Sequence, residues 1–246
     1  MTEPGIYPNM SPREYHAVDA MSSHALAALA KSPRHFQLAR SAGSSETPTF
    51  CFGTVFHRMV LEQDFSVSDE ERKLLKRGRY SVEQLEDMVA ATYLPEASVF
   101  RGLIEQSQRE VSVFWSHTEY GFLCKARIDI MAPDARIIGD LKSTIDASLE
   151  AFKRQIVNYG YGLQAAWYLE GINNCQADVE YDRFLFLPVE KQPPHLVGVY
   201  DVTGFLDVAR QRIDVLCELY QHCLDTNTWG GLPDQVVNLD PPKWYK

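Results

Sequence analysis

Apolar residues along this chain follow two rhythms. As far as residue 106 they recur at the three- and four-residue spacing of helices. Leu26, Leu29 and Ala30 form one stripe, with Ser22 or Ser23 as N-cap. Ser32 and Pro33 end that helix and open the next, as cap and first-turn proline. Residues 41–49 are a Gly/Ser/Thr/Pro loop, and Cys51–Gln63 is a helix on which Gly53 and His57 share a face continued by Val60 and Leu61. A helical glycine costs about 1 kcal/mol against alanine, so Gly53 is expected to mark a close backbone approach. Residues 67–106 continue as charged helices with a break near Pro95. Residues 1–20, polar and proline-containing, read as a surface arm with a short strand or turn.

From Arg109 the period falls to two, the strand period. Arg109–Trp115 alternates, with Glu110, Ser112 and Phe114 on one face. In Gly121–Ile130, Phe122, Cys124, Ala126, Ile128 and Ile130 are expected on an apolar face, and Leu123, Lys125, Arg127 and Asp129 on the other. In Ala135–Ser143, Asp140 and Lys142 share a face, roughly 7 Å apart at a rise of ~3.3 Å per residue. Ser148–Ile172 is one helix, or two meeting near Asn158-Tyr159-Gly160, with Tyr161, Gln164 and Tyr168 on one face. Two more strands are expected in Asp178–Val189 and His195–Val202, followed by an amphipathic helix over 203–225. The tail, 226–246, carries Trp229 and ends in Trp244-Tyr245-Lys246; it is expected to pack on the domain or on a neighbouring subunit. This order predicts a single α/β domain with a mixed sheet: a mainly helical part (1–106), a sheet-and-helix core (107–225) and an irregular tail.

Composition adds limits. The net charge of −9 argues against a protein that coats nucleic acid non-specifically, though a basic groove can be local, and Lys73, Lys76, Arg77 and Arg79 are candidates for one. With no long apolar run and no basic-then-apolar start, the chain reads as cytoplasmic, with no membrane partner. Cys51, Cys124, Cys175, Cys217 and Cys223 are scattered and odd in number, which does not suggest a disulfide framework or a cluster site. There is no Gly-rich phosphate loop and no G-x-S-x-G elbow.

The candidate chemistry lies in the hairpin from Arg127 to Lys142. Asp129 and Asp140 are hard oxygen ligands suited to Mg²⁺ or Mn²⁺, and Lys142 beside them suits an anion or a water. A D-x-K alone is usually a solvated strand face with a local salt bridge. The serine-capped helix starts at Ser22/Ser23 and Ser32 are equally consistent with phosphate seats and with ordinary capping.

Five stretches together resemble the PD-(D/E)XK nuclease superfamily. They are MSSHALAALAKSPRHF, FGTVFHRMVLE, CKARIDIM, IIGDLKST and YGYGLQAAWYLEG, in the family's order. The resemblance is to the exonuclease VIII (RecE) type, related to the RecB nuclease domain and lambda exonuclease. It implies a restriction-endonuclease-like mixed central sheet flanked by helices, with an N-terminal helical lobe. It also implies Mg²⁺-dependent hydrolysis (Mn²⁺ as substitute) of linear double-stranded DNA, 5′-to-3′, in recombination or repair. Asp129, Asp140, the Leu141 carbonyl and His57 would hold the metal, and Lys142, Gln164 and Tyr168 would complete the catalytic set. Glu110 is a candidate further acid, and Lys125, Arg127, Ser32 and Arg34 are candidate phosphate contacts. A single-strand annealing recombinase as partner and a ring-shaped homo-oligomer follow from the same resemblance. The alternatives are a catalytically inactive DNA-binding member of the fold and an iron–sulfur nuclease of the CRISPR-associated or helicase-linked kind, against which the cysteine pattern argues.

Overall fold

The protein is described by a computed structural model covering residues 2–41, 46–175 and 178–241. Six strands form one sheet in sequence order: β1 (Gly5–Tyr7), β2 (Gln108–Ser116), β3 (Leu123–Ala132), β4 (Ile137–Thr144), β5 (Arg183–Glu190) and β6 (Tyr200–Asp201). All neighbours are antiparallel except β4 and β5, which are parallel. A parallel pair needs a crossover. It is made by α8 (Leu149–Tyr159) and α9 (Tyr161–Cys175), which separate at Gly160, where φ is +69°. Glycine adopts the left-handed conformation that ends a helix without the cost of a Cβ.

The helical part contributes α1 (Pro12–Ala17), α2 (Ser23–Leu29), α3 (Pro33–Ser41), α4 (Pro48–His57), α5 (Asp69–Arg77), α6 (Val82–Ala91) and α7 (Ser98–Glu105). The chain closes with α10 (Leu206–Thr226). Two apolar cores flank the sheet. One joins Val111, Val113, Trp115, Ala126, Ile128, Phe184 and Phe186 to α2, α3, α8, α9 and α10. The other joins Ile130, Ile137, Leu141, Leu185 and Leu187 to α4, α5, α6 and α7. Nearly every residue from Leu163 to Ile172 is buried, as befits a helix apolar on all sides. Trp167 Nε1 donates to the Lys125 carbonyl at 3.2 Å and fixes α9 on β3. Gly171 lets α9 approach the sheet: a Cβ there would lie 2.5 Å from the Trp115 ring.

Several expectations change. α1 was not foreseen, although Ser11 and Glu14 form a capping box just before and inside it. Cys51–Gln63 is not one regular helix, since a π-helical turn, Arg58–Glu62, follows His57. Gly53 marks no close approach, because a Cβ there meets nothing within 4 Å. The strand expected over His195–Val202 is reduced to β6 and an isolated bridge, Val189 to Val197. Pro188, opposite it, has no N–H with which to extend the ladder. Among the described residues the tail docks at its start: Trp229 stacks on Phe36, centroids 5.5 Å apart, while Leu232, Val236 and Leu239 are exposed. Trp244, Tyr245 and Lys246 lie outside the described residues.

The largest departure is at the centre of the sheet. Cys124, Ala126 and Ile128 belong to the first core, but Ile130 belongs to the second. The alternation along β3 therefore changes phase beside Asp129. Pairing of β2 with β3 steps from Arg109–Ile130 to Val111–Ile128, omitting Glu110 and Asp129. Glu110 has a left-handed backbone, φ +57°, strained for a non-glycine residue at a cost on the order of 1 kcal/mol.

Candidate metal and active site

The β3–β4 pairing runs only from Ala132–Ile137 to Ile130–Gly139. Beyond it the strands part, and Asp129 fills the gap, its Oδ2 accepting the Leu141 N–H at 2.8 Å. Asp129 and Asp140 are both buried. His57 ends α4 and reaches in from the helical lobe, its Nδ1 3.4 Å from Asp129 Oδ2. The π turn that follows His57 is a feature often found at functional positions. His57, Glu110 and Asp129 each offer a ligand atom within 4.8 Å of the others.

Asp140 forms a second group with Lys142 and Gln164. Its Oδ1 accepts from Gln164 Nε2, and its Oδ2 lies 2.5 Å from Lys142 Nζ. Lys142 Nζ also donates to Gln164 Oε1 at 3.1 Å. Both oxygens of the buried Asp140 carboxylate are thus held, one by Gln164 and the other by Lys142. Tyr168, one turn beyond Gln164, is buried on the same helix, its ring 6.2 Å from Phe184. The Tyr161 ring lies under Lys142, 4.7 Å from Nζ.

The electrostatics follow from burial and like charge. Burial pushes the Asp129 carboxyl well above the usual carboxylate range, and Asp140 and Glu110 push it further. Burial pulls the Lys142 ammonium down, but Asp140, Tyr161 and Asp129 outweigh it, so the lysine stays charged. Burial lowers the His57 imidazole, against the pull of Asp140 and Glu110, and favours the neutral form that can ligate a metal. Crowded buried acids beside a neutral imidazole fit a divalent cation: hard oxygen donors, one nitrogen donor, and negative charge in excess.

Other sequence candidates are engaged elsewhere. Lys125 is buried and donates to the carbonyls of Tyr15 and Val18, at 3.2 and 2.6 Å. Arg127 holds Glu110 at 2.7 Å and also donates to Met10 O and Ser112 Oγ. Both cations thus brace the arm and the third acid. Ser32 caps α3 through the His35 N–H at 3.2 Å, and Arg34 is exposed, its backbone N–H bonded to Gly230 O. Sequence reasoning missed a groove of about 430 Å³ lined by His16, Ser22, His24, Arg40 and Lys125, among others. The signal for it was His24 within the MSSHAL stretch.

This geometry is the setting for the comparisons with known proteins. Residues 21–236 match the family described as a PDDEXK-like domain of unknown function, DUF3799. The chain belongs to that family. The fold is shared with a protein of Eubacterium rectale provisionally named an exonuclease, at a TM-score of 0.68 and 16% identity, covering 95% of this chain and 96% of that one. A phage-related exonuclease of Haemophilus somnus 129PT is more distant, at a TM-score of 0.39 and 14% identity over 86% of this chain and 97% of its own. No curated protein matches the sequence. The restriction-endonuclease-like fold expected from the sequence is the one observed, and PDDEXK nucleases generally use divalent metals. Among the described residues no helix is long and apolar enough to cross a membrane.

Proposed function

We propose that this DUF3799 chain is a metal-dependent deoxyribonuclease acting on the ends of linear double-stranded DNA, digesting 5′-to-3′. The observation that carries the reading is the convergence of His57, Glu110 and Asp129 ligand atoms within 4.8 Å of one another, at the point where β3 and β4 part. Asp129, Asp140, His57 and the Leu141 carbonyl are the proposed holders of Mg²⁺ or Mn²⁺, with Glu110 as an added acid. A divalent cation there supplies a water activated at neutral pH and a clamp on the leaving oxygen.

The protein's own groups do the rest. Lys142 offsets the negative charge that grows on the phosphoryl group and holds the attacking water in line. Gln164 fixes both Asp140 and Lys142, so neither side chain must reorganise when the phosphodiester arrives. Buried Tyr168 supports Gln164 from the next turn of α9. The groove lined by His16, His24 and Arg40 is the proposed bed for the strand that enters the site. Action in recombination or repair, in the cytoplasm, with a single-strand annealing recombinase, and a ring of subunits around the duplex extend the reading by family resemblance.

The deciding experiment incubates purified protein with linear and with covalently closed circular duplex DNA, each with Mg²⁺, with Mn²⁺ and with EDTA. Degradation of the linear form alone, and only with metal, is the expected result; a 5′-phosphorothioate block should stop it. An inert protein under all conditions would favour the catalytically idle, DNA-binding alternative.

A further inference from the structure

The turn between α8 and α9 carries a feature that the hydrolytic site does not use. Tyr159 is the last residue of α8 and is 64% exposed, although aromatic rings are normally buried. Gly160, in its left-handed conformation, turns the chain so that Tyr159 and Tyr161 come together, their centroids 5.6 Å apart. Tyr161 lies 4.7 Å from Lys142 Nζ and packs on Phe186 at 5.1 Å. A line of rings therefore leads from solvent to the lysine: exposed Tyr159, half-buried Tyr161, then the ammonium. Lys153 and Arg154, within two turns of Tyr159 on α8, are also exposed.

We propose that Tyr159 and Tyr161 form a stacking platform for an unpaired nucleobase of the DNA strand whose phosphate sits at Lys142. The chemistry matches single-stranded nucleic acid. Its bases offer flat π faces that stack on tyrosine whatever the sequence, and its phosphates suit Lys153 and Arg154. Tyr161 is anchored by Phe186 and Lys142, so the inner half of the platform is rigid. Tyr159 leans on Tyr161 from the end of α8, so its ring is already beside the inner half of the platform. A base resting there would hold the strand end apart from its complement and keep its phosphate over Lys142.

This inference rests on the nuclease reading, and the test separates the two. Digestion of linear DNA by the wild-type protein with Mg²⁺ examines the nuclease reading alone. The platform is examined in EDTA by titrating the protein into a linear duplex with a short overhang that carries 2-aminopurine. The wild type and Tyr159→Phe should quench the fluorescence, because stacking needs the ring and not the hydroxyl. Tyr159→Ala should bind about tenfold more weakly and quench little. On the same duplex with an abasic overhang, wild type and Tyr159→Ala should bind alike. Equal affinity of Tyr159→Ala and wild type for the base-bearing overhang would overturn the proposal, as would the same loss on the abasic one.

Discussion

Replacing Asp129 by Asn should make the metal-free protein more stable while destroying its function. Asp129, Glu110 and His57 have ligand atoms within 4.8 Å of one another. Two carboxylates at that distance repel by about 3 kcal/mol at an effective dielectric of ~20. The Arg127 guanidinium on Glu110 offsets roughly half, leaving about 1–2 kcal/mol once Asp129 is ionised. Asparagine keeps an oxygen for the Leu141 N–H and adds no charge, so that hydrogen bond survives. In EDTA, at a pH above the raised Asp129 value, Asp129→Asn should melt higher by about 3–6 °C and show a raised urea midpoint with unchanged slope. Mg²⁺ should raise the melting temperature of the wild type and not of the variant. The pH dependence fixes the sign. The folded-state pKa of Asp129 is raised, so the native state holds a proton longer than the unfolded chain, and wild-type stability falls as pH rises from about 4 through that raised value. The advantage of Asp129→Asn should therefore vanish near pH 4 and be complete above the raised pKa. A variant less stable than wild type in EDTA, or one still stabilised by Mg²⁺, would refute the electrostatic account.

Three further outcomes follow. Lys142→Ala should lower metal-dependent cleavage by about 10³-fold with the far-ultraviolet circular dichroism unchanged, whereas Gln164→Ala, which acts through its neighbours, should lose about 10- to 100-fold; timed digestion of linear duplex separates the two. Gly171→Ala places a methyl 2.5 Å from the Trp115 ring and should destabilise by about 1–3 kcal/mol in urea, without moving residues at the acids. For Glu71, burial raises the carboxyl, but the hydrogen bonds from Arg58 and Ser68 outweigh it and hold the pKa below the usual value, so its stabilisation is present above about pH 4.5 and lost as pH falls. Glu71→Gln should cost about 1 kcal/mol at pH 7, and the difference from wild type should fade in acid urea titrations.

Local physics made much of this protein legible in one dimension. The three-to-four spacing of Leu26, Leu29 and their successors and the two-residue alternation of Arg109–Trp115 report burial on one face of a helix or strand. Serine caps and prolines mark boundaries because they act on backbone groups one to three residues away. The D-x-K and the Gln164–Tyr168 stripe were readable for the same reason: on a regular element, spacing fixes which side chains are neighbours. Four things were decided only by tertiary structure. Asp129 and Glu110 drop out of the strand ladder, and β3 changes phase there, because two cores on opposite sides of the sheet claim Ile128 and Ile130. Lys125 and Arg127 look available for phosphates in sequence, yet they are enclosed by the N-terminal arm, whose approach no spacing reveals. The proximity of His57 to Asp129 depends on how the helical lobe docks against β4, a contact between distant segments. Asp140 is held at one oxygen by Lys142, its strand neighbour, and at the other by Gln164, because α9 packs against the strand that carries both. Sequence alone therefore named the acids and the lysine, and packing determined how much charge they must share.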